Sequence, residues 1–151
     1  MCYNPMSIDE PNDARLKARA YFMRRGVDPV RHGGAGLRTF LNIADAWSLS
    51  TEEQMDLLGT QDLATFEDWK VRVRAHETIA IPVDVIVRIG CVLSIYGSLT
   101  TLFPDERAAA WLRASNADRP FDGRAALAVM TRGELQGLDA VVGYLLAKVY
   151  S

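Results

Sequence analysis

From Leu37 the apolar residues recur at steps of three and four: Leu37, Phe40, Leu41, Ala44 and Trp47. That is the period of an amphipathic helix. Ser50 followed by Glu53 is a capping box, and Met55, Leu57, Leu58 and Gly59 complete a second helix with a left-handed stop. A third short helix starts near Ala64 or Thr65, where Thr65 and Asp68 form a weaker cap, and carries Phe66, Trp69 and Val73. Pro82 suits the first turn of the next helix. One of its stripes is Val85, Ile89, Val92, Tyr96, Leu99 and Phe103; another is Ile86, Leu93 and Gly97. Apolar nearly all round, it is expected at the centre of the fold.

Pro104 opens a helix anchored by Ala108, Trp111 and Leu112. Residues 116–123 form a polar turn with Pro120 and Gly123, and residues 124–130 make about two helical turns. The last helix runs from about Glu134. Leu135, Leu138, Val142, Leu145 and Val149 form a seam at coiled-coil spacing. That seam serves either packing on residues 85–103 or an interface with a second copy or a partner. No segment alternates with a period of two, so the fold class is all-α.

Upstream, residues 1–36 read as a leader and linker. They hold six bases against four acids, with Arg15, Lys17, Arg19, Arg24 and Arg25 close together. Residues 14–25 have the spacing of an amphipathic helix with Leu16, Ala20 and Met23 on one side. Gly26 and Asp28-Pro29 stop it, and residues 32–36, His-Gly-Gly-Ala-Gly, read as a flexible joint. The expected division is 1–36 leader and linker, 37–80 three-helix segment and 81–151 C-terminal helical domain.

The whole chain has 151 residues, 17 basic and 19 acidic, a net charge of -2. A chain of that balance does not bind nucleic acid or membrane by bulk charge. With 49% apolar and 24% charged residues it is globular. The opening residues lack a charged then apolar signal pattern, and a cytoplasmic location is expected. Residues 85–103 are long enough to cross a membrane, but Arg88 and several small or polar residues favour a buried helix. No membrane partner is expected.

Catalytic chemistry finds few carriers. His32 and His76 stand outside any zinc-ligand spacing, and no cofactor or metal is expected. Cys2 and Cys91 form no CxxC; Cys91, mid-helix, reads as a buried inert thiol. The glycines before Leu37 lack a P-loop ending. These residues indicate a binding protein rather than an enzyme.

The three helices within residues 37–80, with Gly59 at the second bend, have the shape of a helix-turn-helix. Its reading helix would present Gln61, Thr65, Glu67 and Asp68. The segment's eight acids against four bases oppose phosphate contact. Thr65, Lys70, Arg72 and Arg74 are its candidate DNA-contacting residues.

Within residues 88–150 the run Arg88-Ile89, Leu93, Leu99, Leu102-Phe103, Ala109, Trp111-Leu112, Asn116, Phe121, Gly123, Leu127, Met130, Gly133, Leu138, Val142 and Leu145 resembles the toxin-binding domain of Xre/MbcA/ParS antitoxins, best a ParS-like one. With the preceding helix-turn-helix the likeness covers about residues 37–150. Its most specific part is Trp111-Leu112, Asn116, Phe121 and Gly123, followed by Gly133. Ala125-Ala126 stand where the family usually has a proline.

The resemblance implies an antitoxin that pairs with a RES-domain toxin, an NAD⁺-consuming enzyme of the bacterial cytoplasm. It implies that the antitoxin covers the toxin's active-site cleft, chiefly with its C-terminal region, and often represses its own operon. Arg88, Trp111, Leu112, Asn116, Phe121, Gly123 and Gly133 are then motif residues. Trp111, Leu112, Phe121 and Leu127 are expected to pack the core, and Asn116 and Gly123 to shape the turn. Exposed candidates for toxin contact are Arg119, Arg124, Arg132, Tyr144, Lys148, Tyr150 and Ser151. Two functions compete: a toxin-neutralising antitoxin, and an operator-binding repressor whose C-terminal domain serves only dimerisation. A homodimer, or a larger toxin–antitoxin assembly, is the expected oligomer.

Overall fold

The structure, a computed structural model, describes residues 29–104, 106–132 and 134–151. Among them seven helices follow in order: α1 (Pro29–Ala46), α2 (Thr51–Leu58), α3 (Leu63–Arg74), α4 (Val83–Leu102), α5 (Arg107–Arg113), α6 (Ala126–Met130) and α7 (Leu135–Val149). The all-α class holds, with an N-terminal helix-turn-helix and a C-terminal helical domain. The expected leader helix, residues 14–25, lies outside the described residues.

The expected flexible joint is instead helix. Gly33, Gly34 and Gly36 lie inside α1, and their missing side chains permit close approach. A Cβ on Gly33 would meet Ile86 Cδ1 at 3.0 Å and Ile81 at 3.1 Å, and one on Gly36 would touch Ile89 at 3.6 Å. Glycine lowers local helix propensity, but packing on α4 outweighs that cost. From Leu37 onward the sequence period is obeyed: Leu37, Phe40, Leu41, Ala44 and Trp47 are all buried.

The Ser50 capping box is present. Glu53 N–H donates to Ser50 Oγ at 3.1 Å, and Ser50 N–H donates to Glu53 Oε1 at 2.9 Å. Gly59 ends α2 at φ 72°. The cap of α3 is Asp62 and not Thr65, which corrects the sequence expectation. Asp62 Oδ1 accepts from Ala64 N–H at 3.1 Å, and the Thr65 hydroxyl donates to Asp62 Oδ2 at 2.6 Å.

Helix α4 is central, with α1 and α2 packed on it from one side of the sequence and α7 from the other. It alone among the described residues is long and apolar enough to cross a membrane. Val85, Ile86, Ile89, Val92, Ile95 and Leu99 are buried in a core shared with α1 and α7, which accounts for its apolarity. Tyr96 departs from the expected stripe: it lies at the surface, tilted on the Trp47 ring at 6.1 Å. Cys91 is buried in the core, as expected. The α7 seam is intramolecular, since Leu138, Val141, Val142 and Leu145 are buried and α7 packs chiefly on α4 and α6. Helix α6 is five residues long, shorter than the spacing suggested.

Candidate interaction site

The turn between α5 and α6 is built from its own backbone. Asn116 N–H donates to Arg124 O at 3.1 Å, and Gly123 N–H donates to Asn116 O at 2.7 Å. The Asn116 side chain accepts from Asp118 N–H at 3.0 Å, an Asx turn. Asp118 O then receives the N–H groups of Phe121 (2.8 Å) and Asp122 (3.1 Å). Asp122 and Gly123 both have positive φ, 51° and 90°. Nothing lies within 4 Å of a Cβ placed on Gly123, so backbone conformation and not space requires the glycine.

This turn drives Phe121 into the core, where it is fully buried. Its ring meets Tyr144 edge-on at 4.9 Å and Trp111 edge-on at 5.7 Å, and Trp111 stacks on Tyr144 and Phe103, each at 6.3 Å. Leu112 and Leu127 are buried as expected; Trp111 is half-buried, with one part of its surface open.

Tyr144 is a correction to the list of exposed candidates. Its hydroxyl donates to Asp118 Oδ2 at 2.7 Å, fastening α7 to the turn, and its ring lies within the aromatic cluster. Burial, with the Asp118 carboxylate, pushes its phenol above the ordinary range. Lys148 Nζ lies 5.4 Å from the same ring.

Around this brace the remaining candidates are exposed: Arg119 and Arg124 on the turn, Lys148, Tyr150 and Ser151 at the C-terminal end of α7. The Tyr144–Asp118 bond brings these two groups together. Arg132 is exposed too, but it precedes α7, and the 15 residues of that helix span about 22 Å. It therefore stands apart from Lys148. Gly133 lies outside the described residues.

Two structural residues escaped the sequence reading. A Cβ on Gly137 would collide with Val129 O, so this glycine sets the approach of α7 to α6. Arg113 donates to both oxygens of Glu53 at 3.0 Å and to Ser48 O at 3.1 Å, joining the two halves of the chain. The hydrogen bond from Arg113 is the chief cause holding the Glu53 carboxyl below its usual range. The one signal was Glu53 itself, whose capping role gave no hint of a distant cation.

On α3 the DNA candidates are largely engaged. Lys70 pairs with Glu67 at 3.2 Å and lies over the Phe66 ring at 4.9 Å; Arg72 pairs with Asp68 at 3.0 Å. The Thr65 hydroxyl is committed to Asp62, and Arg74 is exposed. Arg88, on α4, is half-buried beneath Gly59: a Cβ there would fall 2.6 Å from its Nε. Burial lowers its pKa from the ordinary value, opposed by nearby Asp84.

Residues 98–147 match the family model of the antitoxin Xre/MbcA/ParS C-terminal toxin-binding domain, and residues 27–76 that of the antitoxin Xre-like helix-turn-helix domain. An uncharacterized protein of Sinorhizobium fredii, y4oB, is 39% identical over 115 residues, 76% of this chain and 84% of that protein. The chain belongs to the Xre/MbcA/ParS antitoxin family. No solved structure matches it. The toxin-binding match covers the last part of α4, all of α5 and α6 and most of α7, so the braced turn lies wholly within this antitoxin's toxin-binding domain. The helix-turn-helix match begins ahead of Pro29 and takes in the glycine run of α1.

Proposed function

We propose that this antitoxin neutralises a RES-domain, NAD⁺-consuming toxin in the bacterial cytoplasm by covering its active-site cleft with the C-terminal region. The observation that carries this is the toxin-binding match over residues 98–147, on which Arg119 and Arg124 stand exposed beside the aromatic brace, with Lys148 just beyond the match. Arg and Tyr are favoured anchors in protein interfaces, and Tyr150, 83% exposed at the chain's end, supplies an unattached aromatic. The antitoxin acts by binding and needs no cofactor.

Operator binding is the second role, supported by the helix-turn-helix match and opposed by the acid excess of that segment. A homodimer is the assembly that would present two such modules to a palindromic site. Since the α7 seam is consumed inside the chain, that dimer requires another surface.

The test is intracellular NAD⁺ and growth on inducing the adjacent gene with and without this antitoxin. NAD⁺ that falls with the neighbour alone and recovers on co-expression supports the proposal. NAD⁺ left intact by the neighbour removes the RES toxin from it. Salt-dependent retardation of the chain's own promoter fragment tests the second role.

A further inference from the structure

Asp118 is held through its N–H, its carbonyl and its carboxylate. The N–H donates to Asn116 Oδ1 at 3.0 Å, and the carbonyl accepts from the N–H groups of Phe121 at 2.8 Å and Asp122 at 3.1 Å. These bonds stay within the turn. The carboxylate reaches outside it: Oδ2 accepts from the Tyr144 hydroxyl at 2.7 Å, on a helix 26 positions further along the chain. A hydroxyl donating to a carboxylate makes a charge-assisted bond, stronger than one between neutral groups. Tyr144 is itself held, with its ring edge-on to Phe121 at 4.9 Å and stacked on Trp111 at 6.3 Å.

Arg119 is the next residue, and it is exposed. Beyond it the chain is anchored again by the fully buried Phe121. Among the described residues no hydrogen bond or ion pair occupies the Arg119 guanidinium. The neighbouring cations are less available: Arg124 Nε donates to Phe121 O at 3.4 Å, and Lys148 Nζ lies 5.4 Å from the Tyr144 ring. Arg119 therefore combines a fixed base with a free head. A guanidinium is a planar fork that grips a carboxylate through two parallel bonds. Fixing its base beforehand lowers the ordering cost of binding.

We propose that Tyr144 and Asp118 are positioning residues for toxin binding, which hold Arg119 at the crest of the turn to receive a carboxylate of the toxin. The inference rests on the toxin partner proposed above. It gives the Tyr144 hydroxyl a part in affinity without contact: it acts through Asp118 on Arg119. Phenylalanine in its place keeps the aromatic cluster and frees the Asp118 carboxylate, so the base of Arg119 loses its tie to α7.

The test is a double-mutant cycle on inhibition of the adjacent gene's product by the purified full chain, with circular dichroism to check each variant's fold. Tyr144→Phe is expected to weaken inhibition about fivefold and Arg119→Ala about tenfold, and on the Arg119→Ala background Tyr144→Phe has no further effect. A merely structural role would weaken inhibition on either background. Asp118→Ala behaves as Tyr144→Phe does, whereas Asp118→Asn keeps an oxygen for the hydroxyl and retains inhibition. In the free antitoxin, the NMR order parameter of the Arg119 amide falls from about 0.85 toward about 0.6 in Tyr144→Phe. Equal weakening by Tyr144→Phe with and without Arg119, unchanged inhibition, or an unchanged Arg119 amide overturns the positioning role and leaves the toxin partner standing. An unaltered chain that does not inhibit the adjacent product removes the toxin partner, and this role with it.

Discussion

Arg113, at the end of α5, grips the carboxylate of Glu53, at the start of α2, with both terminal nitrogens at 3.0 Å. The two residues are sixty positions apart. Glu53 is at the same time the third residue of the Ser50 capping box. One carboxylate thus starts a helix of the helix-turn-helix and ties that module to the toxin-binding domain.

Two substitutions separate those roles. Arg113→Gln removes an ion pair with partly exposed side chains and is expected to cost about 0.5–1 kcal/mol. Glu53→Ala removes the pair and half the capping box, at about 1–2 kcal/mol. Urea denaturation of both single variants and the double variant measures them, and a coupling of about 0.5 kcal/mol is expected from the double-mutant cycle.

The same pair has a pH signature. The Glu53 carboxyl is held below its ordinary value of 4.5, chiefly by Arg113. Its contribution is therefore complete above pH 4.5 and is lost as pH falls through the lowered value. The urea midpoint of the unaltered chain should fall more steeply below pH 4.5 than that of Arg113→Gln. Parallel curves would show that the pair contributes nothing.

Tyr144→Phe deletes the hydroxyl that bonds Asp118 and is expected to cost about 1 kcal/mol, with the aromatic cluster kept. Tyr144→Ala also removes the ring against Phe121 and Trp111 and is expected to cost about 3 kcal/mol. The phenol's raised pKa gives a contribution present below its ordinary value of 10.0 and lost as pH rises through the raised one. Thermal melts from pH 9 upward should show that alkaline loss in the unaltered chain and not in Tyr144→Phe.

Gly137 and Gly143 lie on the same helix and should respond oppositely to alanine. At Gly137 the added Cβ meets the Val129 carbonyl, a backbone atom, and α6 must move; the expected loss is about 1–3 kcal/mol. At Gly143 the space is open, and alanine is expected to stabilise by about 0.5–1 kcal/mol through helix propensity. Denaturant midpoints of the two variants decide it.

For toxin neutralisation, Arg119→Glu combined with Lys148→Glu is expected to weaken inhibition strongly, by about 100-fold if each charge reversal at the interface costs about 1.4 kcal/mol. Arg132→Glu, at the other end of α7, should have a smaller effect. Deletion of residues 148–151 should resemble the double variant. Inhibition constants against purified toxin, with matched circular dichroism spectra, measure all three; full inhibition by the deletion removes the C-terminal end from the interface.

The helices that followed from sequence share one property: their signals are local. The three-and-four spacing from Leu37 to Trp47, the Ser50–Glu53 box and the Gly59 stop act within a turn or two of the chain, and each is present. The motif Trp111-Leu112, Asn116, Phe121 and Gly123 was legible through the family resemblance, and its turn closes on its own backbone. By itself, then, the sequence determined the all-α class, the limits of α2, the starts of α4 and α7 and, through the family resemblance, the antitoxin family. Only the tertiary structure decided that the glycines before Leu37 are helix, because Ile81, Ile86 and Ile89 supply the packing that glycine's propensity lacks. It alone turned Tyr144 from a surface anchor into a brace and gave Glu53 a second partner. Those outcomes depend on residues 26 and 60 positions away, and no local pattern encodes a contact at that range.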